Sequence, residues 1–215
     1  MRCPSNVPCR ADSGSPHHPR LTKMNFEQYK PLALRTEKPL ATSLLRLQHA
    51  SLGLTTEHGE FTTEVKRLWA YQKPLTQEMR EHIFEELGDI LWYVAIGADA
   101  LDFEIPEYQH LFDFDLSALP LAEQLQIVAN RISVEIGFFT YEVPLYQDAR
   151  ARTGAMRSLV NILSGVAHAC DALDMPLEEV MSANIAKLKQ RFPDAYTNAA
   201  AEARADKGGL DARNS

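Results

Sequence analysis

Long apolar runs, paired cysteines and an excess of basic residues are all missing from this chain of 215 residues. No uninterrupted apolar run approaches the roughly 18 residues of a membrane span, and the N-terminal segment lacks the apolar stretch of a signal peptide. The chain has three cysteines, two of them in a polar leader, which argues against a disulfide framework and favours a reducing cytoplasm. The formal net charge of -7 argues against broad binding to polymeric nucleic acid. We therefore expect a cytoplasmic protein that binds neither membrane nor nucleic acid.

Helical periodicity fills the chain between two polar ends. Residues 1–23 are rich in Pro, Ser and charge, so we expect a disordered leader, and whether Met24 is the true start stays open. The end of the chain, 198–215, is predicted to be a flexible tail. Apolar spacing predicts helices at about 42–71, 76–101, 119–143, 151–173 and 176–191, with a linker at 103–118 and no convincing strand. The sequence therefore predicts an all-α fold.

Two stretches of the chain repeat one another. "TEHGEFTTEV" at 56–65 aligns with "VEIGFFTYEV" at 134–143, an offset of 78 residues. "DILWYVAIGADALD" at 89–102 aligns with "NILSGVAHACDALD" at 161–174, an offset of 72. Two matches in the same order predict duplicated helical hairpins, which pack as a four-helix bundle with approximate twofold symmetry and carry a C-terminal helix. The smaller second offset predicts a shorter turn in the second hairpin.

Acidic residues cluster at helical spacing in the first hairpin. Glu57, Glu60 and Glu64 fall within an arc of about 60° on one helix, and Glu86 and Asp89 share a face of the next. Each pair of like charges about 5 Å apart costs roughly 3 kcal/mol at an effective dielectric near 20, so a cluster of this kind needs a cation. Oxygen ligands select a hard ion such as Mg²⁺, with Mn²⁺ as an alternative. The sequence therefore predicts a metal site at these helices.

The second hairpin has lost most of these acids. The positions aligned with three of them hold other residues: Phe138 for Glu60, Ser158 for Glu86 and Asn161 for Asp89. The acid at Glu57 keeps a counterpart, Glu135. We therefore expect the first hairpin to hold the metal and the degenerate second hairpin to serve packing, with Phe138 filling the space of a lost acid.

Three motifs resemble the MazG-type all-α nucleoside triphosphate pyrophosphohydrolases: "GLTTEHGEFTTEVKRLW", "FEELGDILWYVA" and "SANIAKLKQRFP". That family is defined by ExxE followed by ExxD on antiparallel helices, with Asn-x-x-Lys-Leu near the C-terminus, and the dCTPases and dimeric dUTPases share its core. The resemblance covers roughly 44–101 and 176–194. The stretch between them departs from the short members and is similar to the pseudo-dimeric arrangement of the dimeric dUTPases.

The resemblance implies one all-α pyrophosphohydrolase domain at 24–197, with an active hairpin at about 42–102, a degenerate repeat at about 119–174 and a C-terminal helix at about 176–191. It implies hydrolysis of a nucleoside triphosphate between the α- and β-phosphates, giving a monophosphate and pyrophosphate, as nucleotide-pool housecleaning. We expect a homodimer, with a monomer as the alternative. The implied catalytic residues and Mg²⁺ ligands are Glu57, Glu60, Glu86 and Asp89. Base specificity and the identity of the general base stay open.

Substrate contacts are expected from the same regions. Basic side chains could hold the phosphates, Asn184 could hydrogen-bond a phosphate or the sugar, and Tyr93 could stack on the base or ribose. The basic candidates are Lys66, Lys73, Lys187, Lys189 and Arg191.

Two other kinds of function are open. A di-iron carboxylate protein needs Glu-x-x-His on two helices, and only Glu107 with His110 qualifies, in the linker. A non-catalytic regulator or scaffold could carry the acids without using them. The remaining candidate ligands, His49, His58 and His82, are expected to be surface or packing residues.

Overall fold

The computed structural model of the chain describes residues 24–106 and 115–203, and within them every regular element is helical. The α-helices are α1 (Phe26–Leu34), α2 (Ser43–Trp69), α3 (Gln77–Ala100), α4 (Leu121–Glu142), α5 (Ala149–Ala172), α6 (Leu177–Arg191) and α7 (Asn198–Ala203). The predicted all-α fold is therefore confirmed. In the described part of the chain, no helix is both long and apolar enough to cross a bilayer. The leader predicted at 1–23 lies outside the described residues.

Helix boundaries reproduce the internal repeat. The first helices of the two hairpins, α2 and α4, begin 78 residues apart, while α3 and α5 both begin and end 72 residues apart. The predicted cause of the smaller second offset, a shorter turn in the second hairpin, is mostly wrong. Helix α4 has 22 residues against 27 in α2, whereas the connections at 70–76 and 143–148 differ by a single residue. Most of the change in offset therefore comes from a shortened helix end.

The four long helices pack as a bundle in which each hairpin contacts the other through both of its helices. Between α2 and α4, Ser51 Oγ lies 2.8 Å from Thr140 Oγ1. Further along the same interface, the His58 Nε2–H donates to the Ala129 carbonyl oxygen at 2.9 Å. Because residue numbers rise on one helix as they fall on the other, α2 and α4 run antiparallel. The fully buried side chains of these helices include Leu47, Leu54, Phe61, Leu87, Ile90, Leu91 and Phe139.

Helix α1 was not predicted from the sequence. It begins with a capping box, in which the Asn25 side chain accepts from the Gln28 amide and the Gln28 side chain accepts from the Asn25 amide. The helix contains Pro31 and buries only Tyr29 and Ala33, so its apolar periodicity is weak. Helix α1 packs against α3 and α6, which brings the Tyr29 ring beneath the acidic end of the first hairpin.

The segment predicted to be a flexible tail begins with a short helix. Residues 198–203 form α7, and the Thr197 side chain accepts a hydrogen bond from the Ala200 amide at 3.1 Å. A side-chain acceptor just before a helix satisfies one of its unpaired amides, which stabilises this short element. The rest of the tail, and the linker residues Glu107 and His110, lie outside the described residues.

Phe138 does not fill a space in the core. Its side chain is 53% exposed, whereas the neighbouring Phe139 is fully buried. The aligned acid explains this difference, because the Glu60 side chain is itself 56% exposed and a substitution there leaves no cavity to fill. The packing role expected of Phe138 is therefore wrong. Other exposed apolar side chains continue the same face of α4 into the short 3₁₀ helix that follows it: Val134, Tyr141 and Leu145.

Candidate metal centre

Helices α2 and α3 bring three carboxylates together. Glu57 projects from α2, while Glu86 and Asp89 project from one face of α3, and an oxygen of each lies within 4.8 Å of the others. The two helices pack along their length because the adjoining positions are apolar and buried. Acids three residues apart on such helices face the same seam. The sequence pattern and the hairpin together therefore produce the acidic cluster.

Glu60 belongs to a second, overlapping group. One atom each from Glu60, His82 and Glu86 also lies within 4.8 Å of the others. Glu86 is shared by the two groups. The four predicted metal ligands are thus brought together by the fold, but Glu60 groups with a histidine and Glu86, whereas Asp89 groups with Glu57 and Glu86.

Glu86 is the most buried carboxylate of the cluster. The residue is 4% exposed, and its Oε2 atom has no N–H or hydroxyl partner among the described residues, while its carboxyl shares a hydrogen bond with that of Glu57. Burial, followed by repulsion from Glu60, Asp89 and Glu57, raises the pKa of Glu86 from 4.5 to about 9. Burial and the nearby Asp89 also raise the pKa of Glu57. A divalent cation placed between these oxygens would reverse both effects.

Helix α6 holds Asp89 in place. Its Lys187 Nζ lies 2.5 Å and 2.6 Å from the two carboxylate oxygens, and the Asn184 Nδ2 donates to Oδ1 at 2.9 Å. On the other side of the amide, the buried Tyr29 hydroxyl donates to Asn184 Oδ1 at 2.7 Å. Burial raises the pKa of Asp89 while Lys187 lowers it. Asn184 therefore positions Asp89, and its expected contact with a phosphate or sugar stays a prediction.

A cavity of about 340 Å³ opens beside the carboxylates. One part of its wall is acidic and another carries Lys187 and Arg191. A third part is aromatic: the Tyr93 ring lies 4.8 Å from the ring of Trp92 and 5.5 Å from that of His49, centroid to centroid. Burial, with Glu57 and Asp89 nearby, raises the pKa of Tyr93 to about 12, so its hydroxyl remains a donor at neutral pH. Acidic, cationic and aromatic groups thus converge on one space.

Three of the seven predicted substrate residues line this cavity, namely Tyr93, Lys187 and Arg191. Asn184 lies just behind it. The other three lysines are exposed and are not among the lining residues: Lys66, Lys73 and Lys189.

Helical geometry explains where those lysines lie. Lys66 is nine residues beyond Glu57, which at about 100° per residue places it on the opposite side of α2. Lys189 is two positions beyond Lys187, a rotation of about 200° around α6, so its side chain points away from that of Lys187, and Lys73 belongs to the connection between α2 and α3. The helical spacing that placed the acids on one face also indicates, from the sequence alone, that Lys66 and Lys189 lie on other faces.

His82 is a surface residue as expected, with its side chain 39% exposed, but it also takes part in the acidic cluster. The side chain lies between carboxylates, with Nε2 3.0 Å from Glu86 Oε1 and Nδ1 3.2 Å from Glu64 Oε1. The available signal was its position four residues before Glu86, hence on the same face of α3. His58 does serve packing, because it is buried and bonded to a backbone carbonyl. His49 lines the cavity, and its buried Nδ1 has no partner in the described part of the chain.

Comparisons with known proteins leave the family open. No protein-family model matches the chain, and no solved structure matches it. The chain is similar to the Gene 37 protein of Mycobacterium phage L5, at 39% identity over 61 residues, which are 28% of this chain and 54% of the phage protein. The match thus spans about half the length of that relative, whose name states no activity.

Proposed function

We propose that the protein is a cytoplasmic, Mg²⁺-dependent nucleoside triphosphate pyrophosphohydrolase of the MazG type. It would cleave its substrate between the α- and β-phosphates, releasing a nucleoside monophosphate and pyrophosphate. The observation that carries the proposal is the unpartnered, buried Oε2 of Glu86 at the centre of a carboxylate cluster that opens onto a cavity. The motif resemblance supplies the reaction.

The residues present fit a hard divalent cation. The oxygens of Glu57, Glu86 and Asp89 are close enough to ligate one ion, and burial followed by repulsion from the neighbouring acids raises the pKa of Glu86 to about 9, an effect that a bound cation would offset. Mg²⁺, or Mn²⁺ in its place, would neutralise phosphate oxygens and lower the pKa of a bound water. Glu60, the fourth ligand that the resemblance implies, groups instead with His82 and Glu86.

The chain's own side chains would bind and orient the nucleotide. Lys187 and Arg191 line the cavity and supply positive charge for the phosphates. Lys187 contacts Asp89 at 2.5 Å, so a phosphate would compete with that carboxylate for its ammonium group. Tyr93 presents a ring to the base or ribose. Glu57 is more exposed than Glu86, so it has better access to a proton released in the cavity.

A second copy of the chain is the proposed partner. The supporting observation is the exposed apolar face of α4, where Val134, Phe138 and Tyr141 stand at helical spacing, each more than half exposed. A monomer is the alternative. Light scattering of wild-type protein and of Tyr141→Asp separates the two, because a dimer held by this face dissociates in the variant whereas a monomer is unaffected.

The test of the activity is a pyrophosphate-release screen across canonical and modified nucleoside triphosphates in Mg²⁺. We expect turnover of at least one nucleotide by wild type and its loss in Glu86→Gln. The matched control is Glu135→Gln, which changes the acid retained in the second hairpin and leaves turnover intact. Absence of turnover with every nucleotide would favour the regulator or scaffold. Undiminished turnover in Glu86→Gln would show that these acids are not the site.

A further inference from the structure

His82 is held in one orientation by a buried carboxylate. Its Nδ1 lies 3.2 Å from Oε1 of Glu64, whose side chain is 5% exposed. The Arg67 Nη1 donates to both oxygens of that carboxylate, at 3.1 Å and 3.0 Å. An ionised carboxylate only accepts hydrogen bonds, so the imidazole proton belongs on Nδ1. This arrangement leaves Nε2 as the atom that faces the acidic cluster.

The surroundings of Nε2 call for a positive charge. This nitrogen lies 3.0 Å from Glu86 Oε1 and 3.8 Å from Glu60 Oε2. In the neutral ring Nε2 carries a lone pair, which ionised carboxylates would repel and which a proton on Glu86 or a metal ion would satisfy. Either a proton or a metal ion must therefore lie between these three atoms. Two ligands about 2.1 Å from one ion stand ~3.0 Å apart at right angles and ~4.2 Å apart when opposite, which is the range observed.

An independent observation favours a ligand at this position. Glu86, with a side chain 5% exposed, has no N–H or hydroxyl partner for its Oε2 among the described residues, and the neighbour its carboxyl pairs with is another acid, Glu57. A proton on His82 would satisfy Oε1 alone. Because Glu86 belongs both to this group and to the group with Glu57 and Asp89, its two oxygens can serve two ions at once.

The second hairpin has lost this group as a unit. The positions aligned with its three members are Phe138 for Glu60, Gly154 for His82 and Ser158 for Glu86. The supporting carboxylate survives as Glu142, whose Oε1 would lie 2.8 Å from a Cβ built on Gly154, so it takes the space of the missing imidazole. Loss of the histidine together with the two acids is expected if all three had bound one ligand.

We propose that Glu60, His82 and Glu86 form a second divalent-cation site, bridged by Glu86 to the carboxylate site and selective for a transition ion such as Mn²⁺ over Mg²⁺. Imidazole nitrogen suits transition metals better than Mg²⁺, which prefers oxygen ligands. Glu64 acts as the outer carboxylate that orients a metal-bound histidine, and Arg67 fixes Glu64 in turn. The inference rests on the metal-binding part of the proposed function, and it does not require that the protein hydrolyse nucleotides.

The test is Mn²⁺ binding, with free Mn²⁺ measured by EPR and bound Mn²⁺ by pulsed EPR for coupling to nitrogen. We expect two ions per chain and a ¹⁴N coupling from coordinated imidazole. His82→Gln should weaken the second ion at least tenfold and remove the coupling. The control His168→Gln, which exchanges a histidine of α5 outside the cluster, should change neither.

Failure of this inference is distinguishable from failure of the proposed function. One bound Mn²⁺ without nitrogen coupling leaves the carboxylate site intact and shows that a proton occupies the second position. No bound Mn²⁺ overturns both sites. If His82→Gln does not fold, Glu60→Gln replaces it, since that side chain is 56% exposed and its loss should remove the second ion without unfolding the protein. Nitrogen coupling that persists in either folded variant with full affinity contradicts the proposal.

Discussion

The metal-free protein should become less stable as the pH rises above neutrality, because of Glu86. Burial and three neighbouring acids raise the pKa of its carboxyl from 4.5 to about 9, so the folded protein retains a proton that the unfolded chain releases. A group of this kind contributes its full stability below pH 4.5 and loses it progressively up to about pH 9. The slope is about 1.4 kcal/mol per pH unit for one proton.

Between pH 6.5 and 8.5 the expected loss is about 2–3 kcal/mol in the free energy of unfolding, because the folded form keeps its proton over most of this range while the unfolded chain has released it. The range avoids His58, whose pKa is lowered by burial and which therefore affects stability below pH 6.5. The assay is chemical denaturation in chelator at several pH values, with Glu86→Gln as the control that removes the titrating group.

Wild type should lose stability over this range while Glu86→Gln stays nearly level. Saturating Mg²⁺ or Mn²⁺ should flatten the wild-type curve as well, because a bound cation displaces the proton from Glu86. If the unfolding free energy of wild type in chelator does not change with pH, or changes equally in Glu86→Gln, the pKa of this carboxyl is not raised by burial and its neighbours.

Three further predictions concern packing around the site. Lys187→Met leaves the aspartate of the cluster without its ammonium partner and should lower the free energy of unfolding by about 2 kcal/mol, measured by chemical denaturation in chelator. Lys189→Met, on the exposed side of α6, should leave it unchanged. Gly53→Ala should cost about 1–3 kcal/mol, because its Cβ would lie 2.0 Å from the cavity tyrosine. A Cβ at Gly59 would have no atom within 4 Å, so Gly59→Ala should stabilise the protein by up to about 1 kcal/mol through helix propensity. Equal effects of the two substitutions would contradict the close contact at Gly53. Phe138→Glu should change the unfolding free energy of the monomer by less than about 0.5 kcal/mol, and a larger loss would restore a packing role.

Much of the fold could be predicted because the helical hairpin is repeated in the sequence. Duplicated apolar spacing predicts both hairpins, and the helices begin at the offsets of 78 and 72 that the alignment gives. Helix α1 escaped prediction because its helical signal is a capping box interrupted by Pro31. The short α7 depends on a side-chain cap at Thr197. Periodicity is a signal of long amphipathic helices, and it weakens for elements of one or two turns.

The acids of the site were predictable because angular spacing on a helix is a property of sequence. Their grouping was not, since whether Glu60 faces Asp89 or His82 depends on how α2 and α3 are rotated against each other. The use of Asn184 was hidden for the same reason: its partners, Tyr29 and Asp89, come from two other helices. Contacts between three elements are set by packing, which local spacing does not determine.

Hydrolysis in H₂¹⁸O tests the central claim most directly. With Mg²⁺ and the nucleotide turned over fastest, the account predicts one ¹⁸O atom in the nucleoside monophosphate and none in pyrophosphate, because water attacks the α-phosphorus of a triphosphate held beside Glu57, Glu86 and Asp89. Mass spectrometry of both products measures the label. Label in pyrophosphate would place the attack on the β-phosphorus with the same bond cleaved. Formation of a nucleoside diphosphate and labelled inorganic phosphate, or no Mg²⁺-dependent turnover of any nucleotide, would contradict the assignment of this carboxylate cluster as a pyrophosphohydrolase site.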